Sequence, residues 1–266
     1  MASKSEATYV LGTKISSTSY GHAAESIGEW ARQRVSRYVC LATVNEIMQA
    51  YDSAQFQSIM NEADLVTPDG MPLVWASRLL GRTDATRVYG PDLTLILLQM
   101  AASRGFPVGF FGGTPAALGR LTERIAERFP AVQIAYAWSP PFRALTQDED
   151  RDVTAAINRS GARIVFIGLS SPNQNYWMAA HRGQINSVLV GVGAAFDFLS
   201  GSKPQAPRWM MRVGLEWLFR LLTEPRRLWK RYLKHNPRFV GLFALQLLGL
   251  RHFQPTPIDT RQIPGG

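Results

Sequence analysis

The stretch ADLVTPDGMPLVW, residues 63–75, runs from an apolar, strand-like segment through Thr67-Pro68 and Asp69-Gly70 into a helix-like one. The same grammar recurs along the chain. Strands are predicted at Tyr38–Val44, Asp64–Thr67, Val108–Phe111, Val132–Ala137, Arg163–Ile167 and Ser187–Val192. Amphipathic segments lie between them, at residues 23–35, 46–61, 72–80, 92–103, 115–129, 147–160 and 174–181. This alternation predicts an α/β fold with a mostly parallel, Rossmann-like sheet and helices on its faces. In such sheets ligands bind outside the carboxyl ends of the strands.

The strand ends carry the candidate site. They offer Thr43 and Asn45, then Asp69 and Gly70, then Gly112 and Gly113, then Gly168, Ser170 and Gln174, then Gly193 and Asp197. Each set alone is turn chemistry; five at equivalent ends predict a shared cleft. Asp69 has two readings: a cap on the helix that follows, or a carboxylate facing the cleft as a general base. In GPDL, residues 90–93, Gly90 and Asp92 are further candidate substrate-binding residues, Asp92 either capping a helix or binding a hydroxyl. FFGG, followed by Thr114-Pro115, opens a helix whose free N–H groups suit a phosphate, or is a tight turn. GVGAAF, residues 191–196, lacks the third glycine of a dinucleotide fingerprint, which argues against NAD. Asp148–Asp150 could be read as a metal-binding acid pair, but Thr146 with Glu149 forms a capping-box pattern, and that reading is preferred. One cysteine, Cys40, and four scattered histidines offer no metal-ligand spacing. Neither a metal nor a cofactor is expected.

The chain has 266 residues, 46% of them hydrophobic, which is globular composition with ample material for a core. It begins without the apolar run of a signal peptide and has no stretch long enough to span a bilayer, so a cytoplasmic setting is expected. The net charge of +9 is confined to one segment. Lys203 to Arg251 holds eleven Lys and Arg against Glu216 and Glu224, while the rest of the chain is neutral. A boundary is therefore placed near residue 202. Residues 1–202 are expected to form the α/β domain, 203–253 a basic amphipathic helical appendage and 254–266 a flexible tail. Arg220, Arg227, Arg231, Lys234 and Arg238 share one helical face if Pro225 does not divide the helix. Beside them lie Trp209, Trp217, Trp229, Tyr232 and an apolar run, residues 239–250. This texture suits a membrane surface; the plain alternative is a solvated face with an aromatic packing stripe.

Taken in order, ATVN (42–45), ADLVTPDGMPLVW (63–75), RVYGPDL (87–93), GFFGG (109–113), FIGLSSPNQ (166–174), GVGAAFDFLSG (191–201) and APRWMMRVGLEWLFRLLTEPRRLWKRYL (206–233) resemble the WecG/TagA/CpsF family of bacterial glycosyltransferases. The resemblance covers about residues 38–233. It implies a GT-E-like fold and an inverting, metal-independent transfer from a nucleoside-diphosphate sugar, UDP-linked, to a sugar on a polyprenyl diphosphate in exopolysaccharide or cell-surface glycan assembly. It implies Asp69 as catalytic base and Thr43 as its active-site partner, with Asn45 nearby. It also implies a C-terminal appendage that completes the site and touches the anionic cytoplasmic face of the membrane as a peripheral attachment. Arg220, Arg227 and Arg231 are then candidates for the departing diphosphate or for the lipid diphosphate. The chain departs from the family's P-K-Q-E at Pro172-Asn173-Gln174-Asn175, and from its Arg-Ala-Pro at Gln205-Ala206-Pro207. A homo-oligomer is left open. A second reading, a nucleic-acid-binding module built on the basic aromatic tail, is disfavoured because the charge sits beside a lipid-like apolar run.

Overall fold

The computed structural model describes residues 7–255; the predicted tail beyond residue 255 lies outside them. Six strands form one parallel sheet: β3 (Arg37–Ala42), β4 (Leu65–Pro68), β5 (Val108–Gly112), β6 (Ile134–Trp138), β7 (Ile164–Gly168) and β8 (Val188–Gly191), in the order β4-β3-β8-β7-β5-β6. All six correspond to the predicted strands within a few residues. The chain steps from β3 out to β4, then crosses to the far half of the sheet for β5 and β6. It finally fills the middle with β7 and β8. That reversal opens a crevice above the strands' carboxyl ends.

Strand alternation divides the core into two layers. Tyr38, Cys40 and Ala42 point to one face with Val165, Ile167 and Leu189. Val39 and Leu41 point to the other with Ile164, Phe166, Val188 and Val190. The first face is covered by α2 (Val44–Asp52), α3 (Ala54–Glu62), α4 (Met71–Leu79), α7 (Gln147–Ser160) and α8 (Asn173–Ala180), through residues such as Met48, Phe56, Leu73, Ile157 and Met178. The second is covered by α1 (Tyr20–Gln33), α5 (Gly90–Arg104), α6 (Pro115–Arg128) and α9 (Ala195–Leu199), through Ile27, Leu97, Leu121 and Phe196. The segment predicted as one helix at 46–61 is two, because the Ser53 hydroxyl accepts from Phe56 N (3.2 Å) and caps a new helix there. The Thr146–Glu149 capping box at the start of α7 is present.

The short α9 and one hairpin are additional to the sequence reading. β1 (Ala7–Val10) and β2 (Thr13–Ser16) form an antiparallel hairpin. Its two-residue turn holds Leu11 at φ 50° and Gly12 at φ 81°, the twist that matches paired strands. Leucine rarely adopts that conformation, so the turn signal was weak. Here the buried Leu11 side chain and two hydrogen bonds hold it. Its N–H donates to Gln246 Oε1 (2.9 Å) and its carbonyl accepts from Gln57 Nε2 (3.3 Å).

The C-terminal segment is α10 (Arg208–Arg212), α11 (Glu216–Thr223) and α12 (Pro225–Leu247). Pro225 occupies the first turn of α12, where its missing N–H costs nothing. The arginine row is therefore divided: Arg220 belongs to α11, and Arg227, Arg231, Lys234 and Arg238 to α12. The apolar run at 239–250 is too short to span a bilayer and suits either a membrane surface or a packed helix; for part of it the packed helix is what is found. Phe239 and Phe243 are only 5% and 9% exposed and belong to the same core as the hairpin. Among the described residues, no helix is long and apolar enough to cross a membrane.

Gly112 shows how tightly the sheet's carboxyl ends are drawn together. Its φ is +127°, and an added Cβ would sit 2.5 Å from the Gly168 backbone carbon. Gly112→Ala is expected to destabilise the fold by roughly 2–4 kcal/mol, combining backbone strain with a clash against main chain. A urea melt reads this as a lowered midpoint at unchanged slope.

Candidate active site

A cleft of about 1500 Å³ lies above the carboxyl ends of the central strands and is roofed by α11 and α12. β3 and β4 set its floor. The chain leaving β4 stays paired with β3, Asp69 N donating to Ala42 O (2.9 Å), and this delivers the Asp69 side chain to the cleft. The cap reading of Asp69 is overturned. Gly70, not Asp69, is the N-cap of α4, and no side chain caps that helix.

The Asp69 carboxylate is only 20% exposed, and its Oδ1 has no hydrogen-bond partner. Burial is the main reason its pKa is pushed up to about 7. The Arg87 guanidinium opposes that rise, and the carboxylates of Glu216 and Glu46 add to it. Arg87 is fixed from three sides. Its Nε donates to the Asp69 carbonyl, its Nη2 donates to Glu216 Oε2, and its guanidinium stacks 4.4 Å from the Tyr89 ring centre. The same Nη2 stands 3.6 Å from Asp69 Oδ1, inside ion-pair range but too long for a hydrogen bond.

Thr43 caps α2 in a capping box with Glu46. Glu46 Oε2 accepts from Thr43 N (2.8 Å) and Thr43 Oγ1 (2.5 Å), and Oε1 accepts from Asn45 Nδ2 (3.0 Å). This locks one wall of the cleft, with the Asn45 carbonyl Oδ1 left without a partner. On the opposite wall Gln174 Oε1 accepts from Gly193 N (3.0 Å), and Gly168 O accepts from Gly113 N (3.0 Å). These bonds stitch three strand-end loops together, and the second engages one of the N–H groups that the phosphate reading of FFGG offered. Ser170 and Gly70 also line the cleft.

The roof supplies the charge. Asp197 pairs with Lys203 (2.7 Å), Lys203 reaches Glu224 (3.3 Å), and Arg227 also holds Glu224 (2.6 Å). Arg220 lies over Phe198 at 5.6 Å and Arg231 over Tyr232 at 5.2 Å. Both line the cleft, both have a buried Nε without a hydrogen-bond partner, and neither has a carboxylate partner among the described residues.

Three predicted site residues lie elsewhere. Asp92 points away from the cleft and is gripped by Arg208 (2.7 and 3.0 Å) and by the Tyr20 hydroxyl (3.3 Å), which fastens α10 to α5. The cap reading of Asp92 fails too, since Tyr89 is the N-cap of α5 and Asp92 lies within its first turn. Gly90 is a packing glycine: a Cβ there would meet Leu41 Cδ2 at 3.1 Å. Gly112 serves the close approach to Gly168 rather than the cleft. Of the predicted basic face, Lys234 and Arg238 are drawn to Asp52 of α2 (3.8 and 2.6 Å).

The residues that sequence reasoning missed are Arg87, Tyr89, Glu46 and Glu216. Arg87 and Tyr89 stood inside the RVYGPDL block, and Glu46 was visible as the third residue after Thr43. Glu216 carried no signal except as one of two acids in a basic segment. The departures from the family pattern also acquire locations. Asn175 is fully buried against Cys40 Sγ (3.2 Å) and Met60 Sδ (3.4 Å), outside the cleft, whereas Asn173 lines it. Gln205 Nε2 donates to the Tyr89 hydroxyl (3.1 Å). Among the described residues, no group of three or more His, Cys, Asp or Glu is arranged to hold a metal ion.

Residues 8–253 match the model of the glycosyl transferase WecG/TagA/CpsF family. Among similar proteins is the N-acetylglucosaminyldiphosphoundecaprenol N-acetyl-beta-D-mannosaminyltransferase of Bacillus spizizenii, 31% identical over 209 residues that span 78% of this chain and 79% of that protein. The protein of the same description from Bacillus subtilis is 28% identical over 221 residues, 82% of this chain and 83% of that one. A parallel sheet with an open crevice, a carboxylate at the end of β4 and a match across nearly the whole described chain lead to one assignment: this protein belongs to the WecG/TagA/CpsF family of glycosyltransferases.

Proposed function

We propose that this glycosyltransferase moves a sugar from a UDP-linked donor to a sugar carried on a polyprenyl diphosphate, with inversion and without a metal ion, in the assembly of a cell-surface glycan. The acceptor class follows from the relatives, whose descriptions name a diphosphoundecaprenol-linked sugar. The observation that carries the chemistry is the mostly buried Asp69 carboxylate, 20% exposed and with no hydrogen bond to its inner oxygen Oδ1, in a cleft whose roof presents Arg220 and Arg231 without carboxylate partners.

In this reading Asp69 takes the proton from the acceptor hydroxyl as that oxygen attacks the anomeric carbon. The bond to the donor's diphosphate breaks on the opposite face, which inverts the configuration. A carboxylate titrating near neutrality is matched to that task. Negative charge develops on the departing diphosphate. Arg220 and Arg231, with Arg227 beside them, would stabilise it through charge-assisted hydrogen bonds in a site partly shielded from water. Thr43, Asn45, Ser170 and Gln174 line the walls and would align the two substrates, which is itself a large part of the rate gain.

The roof also suits attachment to an anionic membrane on its cytoplasmic face. On α12 the buried side is Leu228, His235, Phe239 and Phe243. Trp229, Leu233, Val240 and Leu247, spaced 4, 7 and 7, share another side and are exposed, Leu233 at 68% and Val240 at 66%. Arg226 and Lys230 are exposed next to this stripe. Val240 and Leu247 also line the cleft, so a lipid-linked acceptor entering from the bilayer would meet the roof first.

Asp69→Asn is expected to lower turnover about a hundredfold or more, measured as UDP release from UDP-sugars with a short polyprenyl-diphosphate N-acetylglucosamine acceptor. The unsubstituted enzyme should gain activity as pH rises through about 7, where Asp69 loses its proton. The same substitution should raise the melting temperature at pH 8. The folded chain holds the Asp69 proton more tightly than the usual carboxylate value of 3.8 allows. It therefore loses stability as pH climbs from that value to about 7, and asparagine removes the loss. In EDTA the unsubstituted rate is expected to persist. The doubly substituted Leu233→Ser, Val240→Ser protein should bind phosphatidylglycerol vesicles more weakly in flotation while keeping its melting temperature, since both side chains are exposed.

A further inference from the structure

Glu216 stands out because, among the cations that the basic C-terminal segment brings to the cleft, it is the acid that reaches Arg87. It is the first residue of α11, its side chain is 16% exposed, and its Oε2 accepts from Arg87 Nη2. That same nitrogen is the one nearest Asp69 Oδ1, at 3.6 Å. Arg87 thus has one nitrogen between two carboxylates and hydrogen-bonds only one of them. The other is the one with an unsatisfied oxygen.

We propose that Glu216 is a positioning residue: it holds the Arg87 guanidinium back from Asp69, so that no charge-assisted hydrogen bond to Oδ1 lowers the proton affinity of the base, and it does so only when the C-terminal helices are docked. The inference rests on Asp69 acting as the base. With Glu216 in place, Arg87 braces the Asp69 main chain through Nε and leaves the carboxylate ionic company without a hydrogen bond. Without it, Nη2 is free to turn the short distance to Oδ1 and form the charge-assisted bond that quenches a base. The remaining ionisable groups around Asp69 are Glu46 on α2, Arg220 on α11, Tyr20 on α1 and Tyr89 before α5. Glu46 is already held by Thr43 and Asn45, and both tyrosines remain neutral at physiological pH because burial raises their pKa values. Arg220 approaches from the same helix as Glu216 and acts in the opposite direction, favouring the ionised carboxylate. The acid and the base of α11 therefore arrive together, one guarding the carboxylate's proton affinity and the other limiting it.

The test uses the full chain with aspartate labelled at the side-chain carbon. The Asp69 signal is identified by its loss in Asp69→Asn and followed through a pH titration. Glu216→Gln keeps the shape and removes the charge. Its Asp69 midpoint is expected to fall by about one unit or more, with turnover on the alkaline plateau down by up to about tenfold and donor KM unchanged. Glu216→Asp, which keeps the charge, should recover the midpoint. An Asp69 midpoint in Glu216→Gln equal to that of the unsubstituted protein overturns the inference. So does a midpoint in Glu216→Asp as low as in Glu216→Gln, or a loss expressed only in donor KM. Turnover of Asp69→Asn tests the base itself separately: if that variant keeps its rate, the reading of Asp69 fails whatever the titrations give.

Discussion

A carboxylate withdrawn from water at the end of β4 is the constraint around which the rest of this structure is arranged. Burial makes ionisation of Asp69 costly, and the pKa rises to about 7 as a result. That cost is tolerated because the site around it is over-determined. The main chain of Asp69 is pinned to β3 through Ala42 and to Arg87 through its own carbonyl. Arg87 in turn is held by Tyr89 and Glu216. Remove the packing of the two strands and the carboxylate would find solvent, its pKa would return to the ordinary range, and the cleft would hold an acid of no special use at neutral pH.

The sheet explains why this could be arranged at one place. Five strand ends converge because all six strands run parallel, and the crossover from β4 to β5 leaves a crevice above the middle strands. Hydrogen bonds between loops, Gly113 to Gly168 and Gly193 to Gln174, then hold the rim at fixed spacing. The rigid half of the site is therefore built from turns, and the charged half from helices that come much later in the chain.

That division also sets what was legible in the sequence. The strands could be read because each is a short apolar run ending in turn residues, and Thr43, Asp69, Ser170, Gln174 and Gly193 follow from being at those ends. Asp92 and Gly90 were misplaced because a turn motif says nothing about which way its side chains face: here Asp92 meets Arg208, 116 residues on. The hairpin was missed because its turn puts a leucine where glycine or asparagine is the usual signal. The pairing of Arg87 with Glu216 spans 129 residues. No periodicity or spacing rule reaches that far; only the docking of α11 over the sheet creates it. The arginine row was legible only on the condition that Pro225 leaves the helix whole; it does not, and Lys234 and Arg238 anchor α12 to Asp52.

The contact between Gln246 and the first hairpin has a consequence for how the enzyme is made. Gln246 Oε1 accepts from Leu11 N and its Nε2 donates to Tyr9 O, so the last long helix clasps the first two strands. Phe239 and Phe243 enter the core beside them. On the ribosome β1 and β2 emerge long before α12 and must wait, with apolar surface uncovered, until that helix has been made. A polypeptide that stops short of α11 lacks both the clasp and the cations of the roof, and so has an unfinished core and an open crevice in which Asp69, Arg87 and Glu46 remain uncovered. Docking of α12 thereby closes the core layer beneath the hairpin and roofs the cleft in a single step.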